Sequence, residues 1–363
     1  MNKTVIQRVL KNPVFQNAGI RLLSFVLALL IGGVVIYSIG GDPITAFSAL
    51  YRGSLGSLYA VSETMVKMVP LIFTALSYAF AYRAGLINIG AEGQLYIGAI
   101  LATLAGTNFA GLPLIVHLPL TILAGFLGGA VWGLLVGCLK VKFGANEIIT
   151  TVMLNYVAIH ITSYLVTGPM IEPPGNMPQS RRILESALLP RFLPGTRLHL
   201  GIFLALAAIL VYFIIIWRMR YGYEVRVVGQ NMHASKYAGI KSERVMLSVM
   251  FIAGGMAGLA GATEIIGVQR RLYQMFSPGY GFDGIAVSLI GNNNPVGMIF
   301  GAFLFGILRA GGNMMQMTAR VPQAIVGIIQ GMVIVFLLSG HMLRLSWAKR
   351  TSLRQAQEKI TET

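Results

Sequence analysis

The chain has 363 residues, of which 55% are hydrophobic and only 11% are charged, whereas charged residues make up about 25% of an average soluble domain. This composition excludes an ordinary soluble enzyme. The net charge of +16 would indicate nucleic-acid binding in a soluble protein, so the positions of the charges decide its meaning. Cys138 is the single cysteine, which excludes disulfides within the chain, and the five histidines are too scattered for an ordinary metal site.

Long apolar stretches predict helices that cross a membrane, because a helix needs about 20 residues to span the hydrocarbon core. The windows 111–139 and 321–343, among others, contain no Asp, Glu, Lys or Arg. The turn sequence Gly-Asn-Asn-Asn-Pro at 291–295 divides one apolar window into two helices. The sequence therefore predicts an all-α polytopic membrane protein with about ten spans, at 20–39, 62–82, 86–107, 114–138, 146–168, 198–217, 244–266, 279–291, 296–314 and 322–341.

The positions of Lys and Arg predict the orientation, since cytoplasmic loops carry the excess of positive charge. With both termini in the cytoplasm, 18 of the 28 basic residues lie on that side and nine on the other, Arg309 among them, with Lys67 inside a span. The net charge then reflects membrane topology, and no nucleic-acid partner is expected. We expect a cytoplasmic interfacial elbow helix in 1–19, a transmembrane domain in 20–341 with a cytoplasmic loop at 218–244, and a cytoplasmic tail in 342–363.

Two stripes of small or polar residues predict close packing between helices. The first consists of Gly125, Gly129, Gly133 and Gly137, and the second of Thr151, Asn155, Ala158 and Thr162. For the second stripe, a place along a transport pathway is the weaker alternative. The external segment 169–197 is rich in Pro and Arg, and we interpret it as a solvated connector in preference to a lid or docking surface.

Four segments carry a specific resemblance to a known family: Arg83–Gln94, Asn146–Val157, Val228–Gly239 and Gly281–Val287. In these segments the chain resembles the membrane-spanning permease subunits of bacterial ATP-binding-cassette (ABC) importers of the branched-chain amino acid, ribose and simple-sugar group. Within that group it most resembles the nucleoside permeases. The resemblance implies a type II ABC importer-like fold, with two inverted-repeat halves, in the bacterial cytoplasmic membrane.

The resemblance also implies a set of partners. These are a second, homologous permease subunit that would make a heterodimer, a cytoplasmic ABC ATPase, an extracellular substrate-binding lipoprotein, and a nucleoside substrate. The chain has no Gly-x-x-x-x-Gly-Lys-[Ser/Thr] loop to hold ATP phosphates. We therefore expect no enzymatic activity and no cofactor in this chain, with ATP and Mg bound by the partner ATPase.

The loop 218–244 contains the pattern of a short capped helix, with Asn231 as N-cap and Gly239 as the residue after the helix end. The resemblance places the family's cytoplasmic coupling helix at Asn231–Gly239. Such a helix can convert closure of the ATPase into rocking of the helix bundle. The candidate coupling residues are Asn231, His233, Ala234, Lys236 and Gly239, and a merely solvated basic loop is the alternative.

Two interrupted spans indicate a substrate path, by analogy with the broken helices of secondary transporters. Gly85–Gln94 and Gly279–Gly284 each carry an acid among glycines, at a depth where an unpaired carboxylate is expensive. If the first segment is helical, Asn88 and Glu92 are one turn apart. The candidate path residues are Asn88, Glu92, Gln94, Tyr96, Asn155 and Asp283. The alternative is that the two acids cap helices or pair with Arg83, Lys67 or a partner subunit.

Three other functions were weighed against nucleoside import. A ribose-like simple sugar is the alternative substrate. An ion-coupled secondary transporter would need acids in mid-membrane, which Glu92 and Asp283 provide, but it would need no coupling helix. An integral membrane enzyme would need clustered histidines or paired carboxylates, and this sequence has neither.

Overall fold

The computed structural model describes residues 13–322 and 324–336. This part of the chain contains no β-strand and only three isolated β-bridges, so the predicted all-α class is confirmed. The helices are α1 Pro13–Ser38, α2 Pro43–Ser54, α3 Leu58–Arg83, α4 Ala91–Asn108, α5 Leu114–Phe143, α6 Glu147–Thr167, α7 Gly201–Phe213, α8 Arg220–Gln230, α9 Met232–Tyr237, α10 Ser242–Glu264, α11 Tyr280–Ile290, α12 Pro295–Ala319 and α13 Ala324–Phe336. Short π-helical turns continue α7 over Ile214–Arg218 and α10 over Ile265–Gln269.

Each of the ten predicted spans contains one helix, and two further helices were not predicted. Among the described residues, α3, α5, α6, α7, α10 and α12, with their π-helical turns, are long and apolar enough to cross a membrane. The unpredicted α2 is a 12-residue helix whose first turn is capped by the Asp42 carboxylate, and α8 is short and polar. The predicted elbow helix up to residue 12 and the predicted tail 342–363 lie outside the described residues.

The described residues form two compact units, one from 13–53 and the described part of 311–336, and the other from 54–310. In the described part of the first unit, small and apolar side chains of α1, α2, α12 and α13 form a core. Its buried members are Ile36, Ala46, Ala49, Met315, Val321 and Ile329. The second unit contains the candidate site and all of the helices from α3 to α11.

Helix α10 packs against α3, α4 and α5 in the second unit. The predicted glycine stripe of α5 is confirmed as a packing surface, because a Cβ on Gly258 of α10 would lie 3.0 Å from Cα of Gly129. Gly254 approaches Gly129 and Gly133 in the same way. Without side chains between them, the two backbones come close enough for dispersion to hold the helices together in lipid.

The segment 169–197 folds onto the ends of α4 and of the π-helical turn that continues α10, so its interpretation as a solvated connector is wrong for its central part. The backbone N–H of Ile183 donates to the Arg270 carbonyl (2.9 Å), and that of Leu184 donates to the Gly106 carbonyl (3.0 Å). Ile183, Ala187 and Leu188 are buried. The apolar side chains within 183–189 explain this, since folding removes from water groups that a solvated loop would leave exposed.

The Gly-Asn-Asn-Asn turn separates α11 from α12, as predicted. Asn292 and Asn293 have φ values of 54° and 53°, a left-handed conformation that Asn tolerates better than most residues. The Asn293 carbonyl accepts hydrogen bonds from Arg83 Nη2 (3.1 Å) and the Tyr212 hydroxyl (3.0 Å). The turn is thereby held by α3 and α7 at once.

Candidate functional site

The first break in a span lies between α3 and α4. Helix α3 ends at Arg83 and α4 begins at Ala91, so the prediction of a helix from residue 86 is wrong at this point. Gly85 has a φ of +75°, and the side-chain oxygen Oδ1 of Asn88 accepts a hydrogen bond from the Gly90 N–H (3.0 Å). Such a side-chain bond offers the backbone an alternative to the helix. Asn88 and Glu92 therefore do not share a helical face.

Buried amide side chains satisfy the polar groups at this first break. Asn88 Nδ2 donates to Ser77 Oγ (3.1 Å) and Gln94 Oε1 (3.0 Å), and Gln94 Nε2 donates back to Asn88 Oδ1 (3.2 Å). Asn155 of α6 accepts from the Gly93 N–H (2.7 Å) and donates to the Ile89 carbonyl (3.0 Å). The polar stripe of α6 is thus a packing face, and the first break is closed by a neutral network.

The second break is the irregular segment that leads into α11, and it meets the start of α4. Glu92 Oε2 accepts a 2.6 Å hydrogen bond from the Gly281 N–H. Gly281 has no room for a side chain, because a Cβ there would collide with the backbone of Ala91 and Glu92. The Tyr96 ring packs edge-on against Phe276, with 4.7 Å between centroids. The two breaks are therefore in direct contact.

Charged side chains hold the second break. Arg309 of α12 pairs with Asp283, with 2.6 Å between Nη2 and Oδ2, and it also donates to the Pro278 carbonyl (3.0 Å). Its guanidinium lies over the Tyr280 ring at 4.8 Å, and Lys67 Nζ donates to the Tyr280 hydroxyl (3.0 Å). Two cations from two helices thus converge on the first residue of α11.

These contacts correct two sequence-based interpretations. Asp283 pairs with Arg309, and neither Glu92 nor Asp283 forms an ion pair with Arg83 or Lys67. Arg309 was counted with the outer loops but lies within α12, with 14% of its side chain exposed.

The contacts with α3 place the meeting point of the two breaks near the middle of a span. Lys67 contacts Tyr280, and a Cβ on Gly284 would collide with Thr74. At 1.5 Å per residue, Lys67 and Thr74 lie about 14 and 24 Å along a helix about 39 Å long. Irregular backbone survives at such a depth only where protein or a water-filled cavity satisfies it.

Sequence reasoning missed Glu264, which is 3% exposed at the end of α10. Its Oε1 accepts from Gln269 Nε2 (3.1 Å), and its Oε2 has no hydrogen-bond partner among the residues that the structure describes. Glu264 interacts electrostatically with Lys67 and Tyr280, so it belongs to the same charged group. The signal available in the sequence was a carboxylate directly after the charge-free window 245–263. The structure adds that Glu264 precedes a π-helical turn, and such turns are frequent at functional sites.

A partly exposed arginine and a buried histidine lie just before α7. Arg197, whose side chain is 42% exposed, forms a two-pronged ion pair with Glu63 near the start of α3, which raises the pKa of Arg197. His199 lies against Gly267 of the π-helical turn. Burial, with a smaller effect of the nearby Arg191 charge, lowers the pKa of His199 to about 4, so the imidazole is neutral near pH 7.

The predicted short helix at 231–239 is present as α9. Asn231 Oδ1 accepts from the N–H groups of His233 (2.9 Å) and Ala234 (3.1 Å), and Gly239 has a φ of +72°. Both caps are as predicted. Asn231, His233, Ala234, Lys236 and Gly239 are all exposed. The candidate coupling residues therefore form an open surface away from the two breaks.

Helix α8, which precedes α9, approaches the first break closely at two glycines, Gly229 and Gly85. A Cβ on Gly85 would lie 3.2 Å from both Cα and O of Gly229, and a Cβ on Gly229 would collide with the Arg83 carbonyl. The backbone at the end of α8 therefore rests directly on the backbone that leads to Asn88. The six candidate path residues thus lie around the start of α4, and the loop that carries the candidate coupling residues contacts the break beside them.

The chain is similar to known membrane permeases over most of its length. The model of the family described as "Branched-chain amino acid transport system / permease component" matches residues 60–338. The guanosine ABC transporter permease protein NupP of Bacillus subtilis is 38% identical over 332 residues, which are 90% of this chain and 95% of that protein. No solved structure matches the chain.

Two further relatives differ in the substrate that their names give. The glucose ABC transporter permease protein TsgB13 of Haloferax volcanii is 36% identical over 342 residues, 92% of this chain and 90% of that protein. The nucleoside ABC transporter permease protein NupB of Lactococcus lactis is 31% identical over 345 residues, 93% of this chain and 94% of that protein.

Proposed function

We propose that this chain is the membrane-spanning subunit of an ATP-driven nucleoside importer. The proposal starts from the fact that the chain belongs to the family of branched-chain amino acid transport system permease components and is an ABC transporter permease. Its partners would be a second permease subunit, a cytoplasmic ATPase that binds ATP and Mg, and an extracellular substrate-binding protein. The observation that carries this proposal is the exposed, capped helix α9, whose loop rests through Gly229 on the break before α4.

Nucleosides are the proposed substrate because two of the three similar permeases described above are named for guanosine or nucleosides. The buried carboxylates and amides at the two breaks suit a neutral solute rich in hydroxyl and N–H donors. A simple sugar is the second candidate, favoured by the similarity to a glucose permease.

The substrate is tested by uptake in cells that lack only this subunit and in the same cells with the gene restored. Labelled guanosine, ribose, glucose and leucine would be compared, with and without a protonophore. We expect restored guanosine uptake that survives the protonophore while ATP is maintained. Restored sugar uptake without guanosine uptake would favour the second candidate, and uptake abolished by the protonophore at constant ATP would indicate an ion-coupled transporter.

Coupling is tested with Gly239→Asp, because the left-handed conformation at this position costs a non-glycine residue about 1–2 kcal/mol. The matched control is Gly111→Asp between α4 and α5, which has a φ of +89° and equally open surroundings. We expect Gly239→Asp to abolish substrate-stimulated ATPase activity of the complex and Gly111→Asp to retain it. Equal effects of the two variants would contradict the coupling role of α9.

The orientation is tested by labelling α9 with a membrane-impermeant thiol reagent in a Cys138→Ser background. Tyr237 is the suitable position, being 95% exposed, whereas Ser235 is buried and bonded to Ser242. A cysteine in place of Tyr237 is expected to react in inside-out vesicles but not in intact cells. Reaction in intact cells would contradict a cytoplasmic location of 218–244.

The path residues are tested by Glu92→Gln, Asp283→Asn and Asn88→Ala, with copurified complex and guanosine uptake measured together. A residue of the path is expected to lose uptake while the complex persists. A carboxylate that serves packing alone would lose both in parallel. Normal uptake in all three variants would refute the path while leaving the importer proposal intact.

A further inference from the structure

Helix α6 differs from the other spans in how little of it the rest of the chain covers. Only 22% of its membrane-crossing window is buried, against 89% for α3. The stripe that contains Thr151 and Asn155 packs against the chain. The uncovered face carries side chains at successive turns, and these are Met153 (54% exposed), Tyr156 (58%), His160 and Tyr164 (68%).

The chemistry of this face sets it apart from the lipid-facing helices α5 and α7. The large exposed side chains in the middle of those two helices are purely aliphatic or phenyl groups, as lipid requires. They are Leu123, Leu127, Val131 and Leu135 on α5, and Phe203, Leu206, Leu210 and Val211 on α7. Exposure alone therefore marks lipid contact, whereas exposure of hydroxyl and imidazole groups on α6 needs another explanation.

The depth of Tyr156 and His160 excludes ordinary contact with lipid headgroups. At 1.5 Å per residue they lie about 14 and 20 Å from Glu147 in a helix about 31 Å long, well inside a hydrocarbon core about 30 Å thick. Neither the Tyr156 hydroxyl nor the His160 ring has a hydrogen-bond partner in the described part of the chain. Tyr164 lies near the outer end, where aromatic belts are common, so the argument rests on the two deeper residues.

A polar group that faces hydrocarbon without a partner is costly, and ionisable residues in spans generally face a protein interior or a water-filled cavity. A tightly packed helix interface is usually built from small residues that let backbones approach. This face instead carries large flat rings at intervals of four residues. Rings of this kind can stack on any nucleobase, because every base has a flat face.

We propose that the face of α6 formed by Met153, Tyr156, His160 and Tyr164 lines a water-accessible route and contacts the planar base of a nucleoside as it crosses. The aromatic rings stack on the base, and the hydroxyl and imidazole groups bond its polar edge. This inference rests on the proposed nucleoside function, and it assigns selection for the base to a helix surface distinct from the buried breaks.

Accessibility is tested in a Cys138→Ser background with a hydrophilic methanethiosulfonate reagent applied to membranes of the whole complex. His160→Cys is compared with Leu127→Cys, the matched position on the lipid-facing side of α5. We expect rapid reaction at position 160, none at 127, and protection of position 160 by guanosine but not by ribose. Absence of reaction at 160, or reaction without selective protection by guanosine, would overturn the inference.

Uptake of guanosine by Tyr156→Leu and Tyr156→Phe completes the test, with copurified complex as the measure of assembly. Loss of one stacking ring is expected to reduce uptake about tenfold in Tyr156→Leu, while Tyr156→Phe retains the ring, loses only the hydroxyl, and is expected to reduce uptake by a smaller factor. Wild-type uptake in both variants would overturn the inference alone. Failure of the unmodified protein to transport guanosine would instead refute the proposed substrate.

Discussion

The two breaks solve the same problem with different chemistry. Before α4, the neutral amides of Asn88 and Asn155 bond the irregular backbone at 2.7–3.0 Å, and Gln94 holds the Asn88 amide in place. Before α11, Arg309 donates to the Pro278 carbonyl and Lys67 donates to the Tyr280 hydroxyl, each from a neighbouring helix. An amide network works only where polar groups are already adjacent, whereas long cationic side chains reach distant ones and bring a charge that a carboxylate must balance.

The charged break is expected to be the more sensitive to loss of a single side chain. Arg309→Gln leaves the Asp283 carboxylate without its cation at a largely buried position, and removal of one partner of a buried pair typically costs about 3–5 kcal/mol. We expect a corresponding fall in the unfolding free energy of the purified complex, measured by chemical denaturation in detergent.

Two controls define this effect. The double variant Arg309→Gln with Asp283→Asn removes both charges and is expected to recover most of the lost stability. Arg182→Gln breaks an exposed pair with Glu185 and is expected to change stability by at most about 1 kcal/mol. A single Arg309→Gln variant as stable as the Arg182→Gln control would contradict the charged description of this break.

Loss of a side chain at the neutral break is expected to reduce the unfolding free energy by less. Asn88→Ala removes the partner of the Gly90 N–H and of the Gln94 amide, and buried groups left unsatisfied cost about 1–3 kcal/mol. The same denaturation measurement serves, with Asn108→Ala as the control. Asn108 lies exposed at the other end of α4, where a change within about 0.5 kcal/mol is expected. A loss for Asn88→Ala larger than that for Arg309→Gln would reverse the comparison.

The smallest expected difference between the breaks is their response to pH, because His199 lies against the π-helical turn before the second break. Its pKa in the folded protein, about 4, is below the ordinary value of 6.5, so folding favours the neutral ring. The stability from neutral His199 is complete above pH 6.5 and is lost as pH falls toward 4.

Hydrogen exchange of residues 265–269, corrected for the intrinsic effect of pH on exchange, is expected to rise over this range, while that of residues 84–90 stays unchanged. His199→Gln, which carries no titratable ring, is expected to abolish the rise. An equal rise in both segments would show that His199 is not its source.

The positions of the spans were predictable because each is a long apolar run bounded by turn residues or charges. Asn231 and Gly239 were predictable as caps, since cap geometry depends on neighbouring residues alone. The interruption before α4 was also recognised from its glycines. Its exact form was not, because the choice of Asn88 to bond the Gly90 N–H in place of continuing a helix depends on Ser77 and Gln94 completing the network.

Partners from distant parts of the chain could not be predicted. Lys67 meets Tyr280 across 213 residues of sequence, and no local spacing encodes that contact. Arg309 was counted with the basic residues outside the membrane, although it lies within the predicted span 296–314, because its partner Asp283 could not be foreseen. Likewise, the apolar side chains within 183–189 are interrupted by Glu185 and Ser186 and surrounded by Pro and Arg, so their burial was not predicted. The transport and coupling roles of the candidate residues stay predictions.

The contact of Gly85 with Gly229 joins the loop 218–244 to the first break through backbone atoms. Side chains at an interface can change rotamer and absorb small displacements, whereas peptide planes in contact have no such slack. A displacement of α8 would consequently be transmitted to the backbone before Asn88 with little loss. The size of the movement at the first break would then depend on the geometry of two peptide groups.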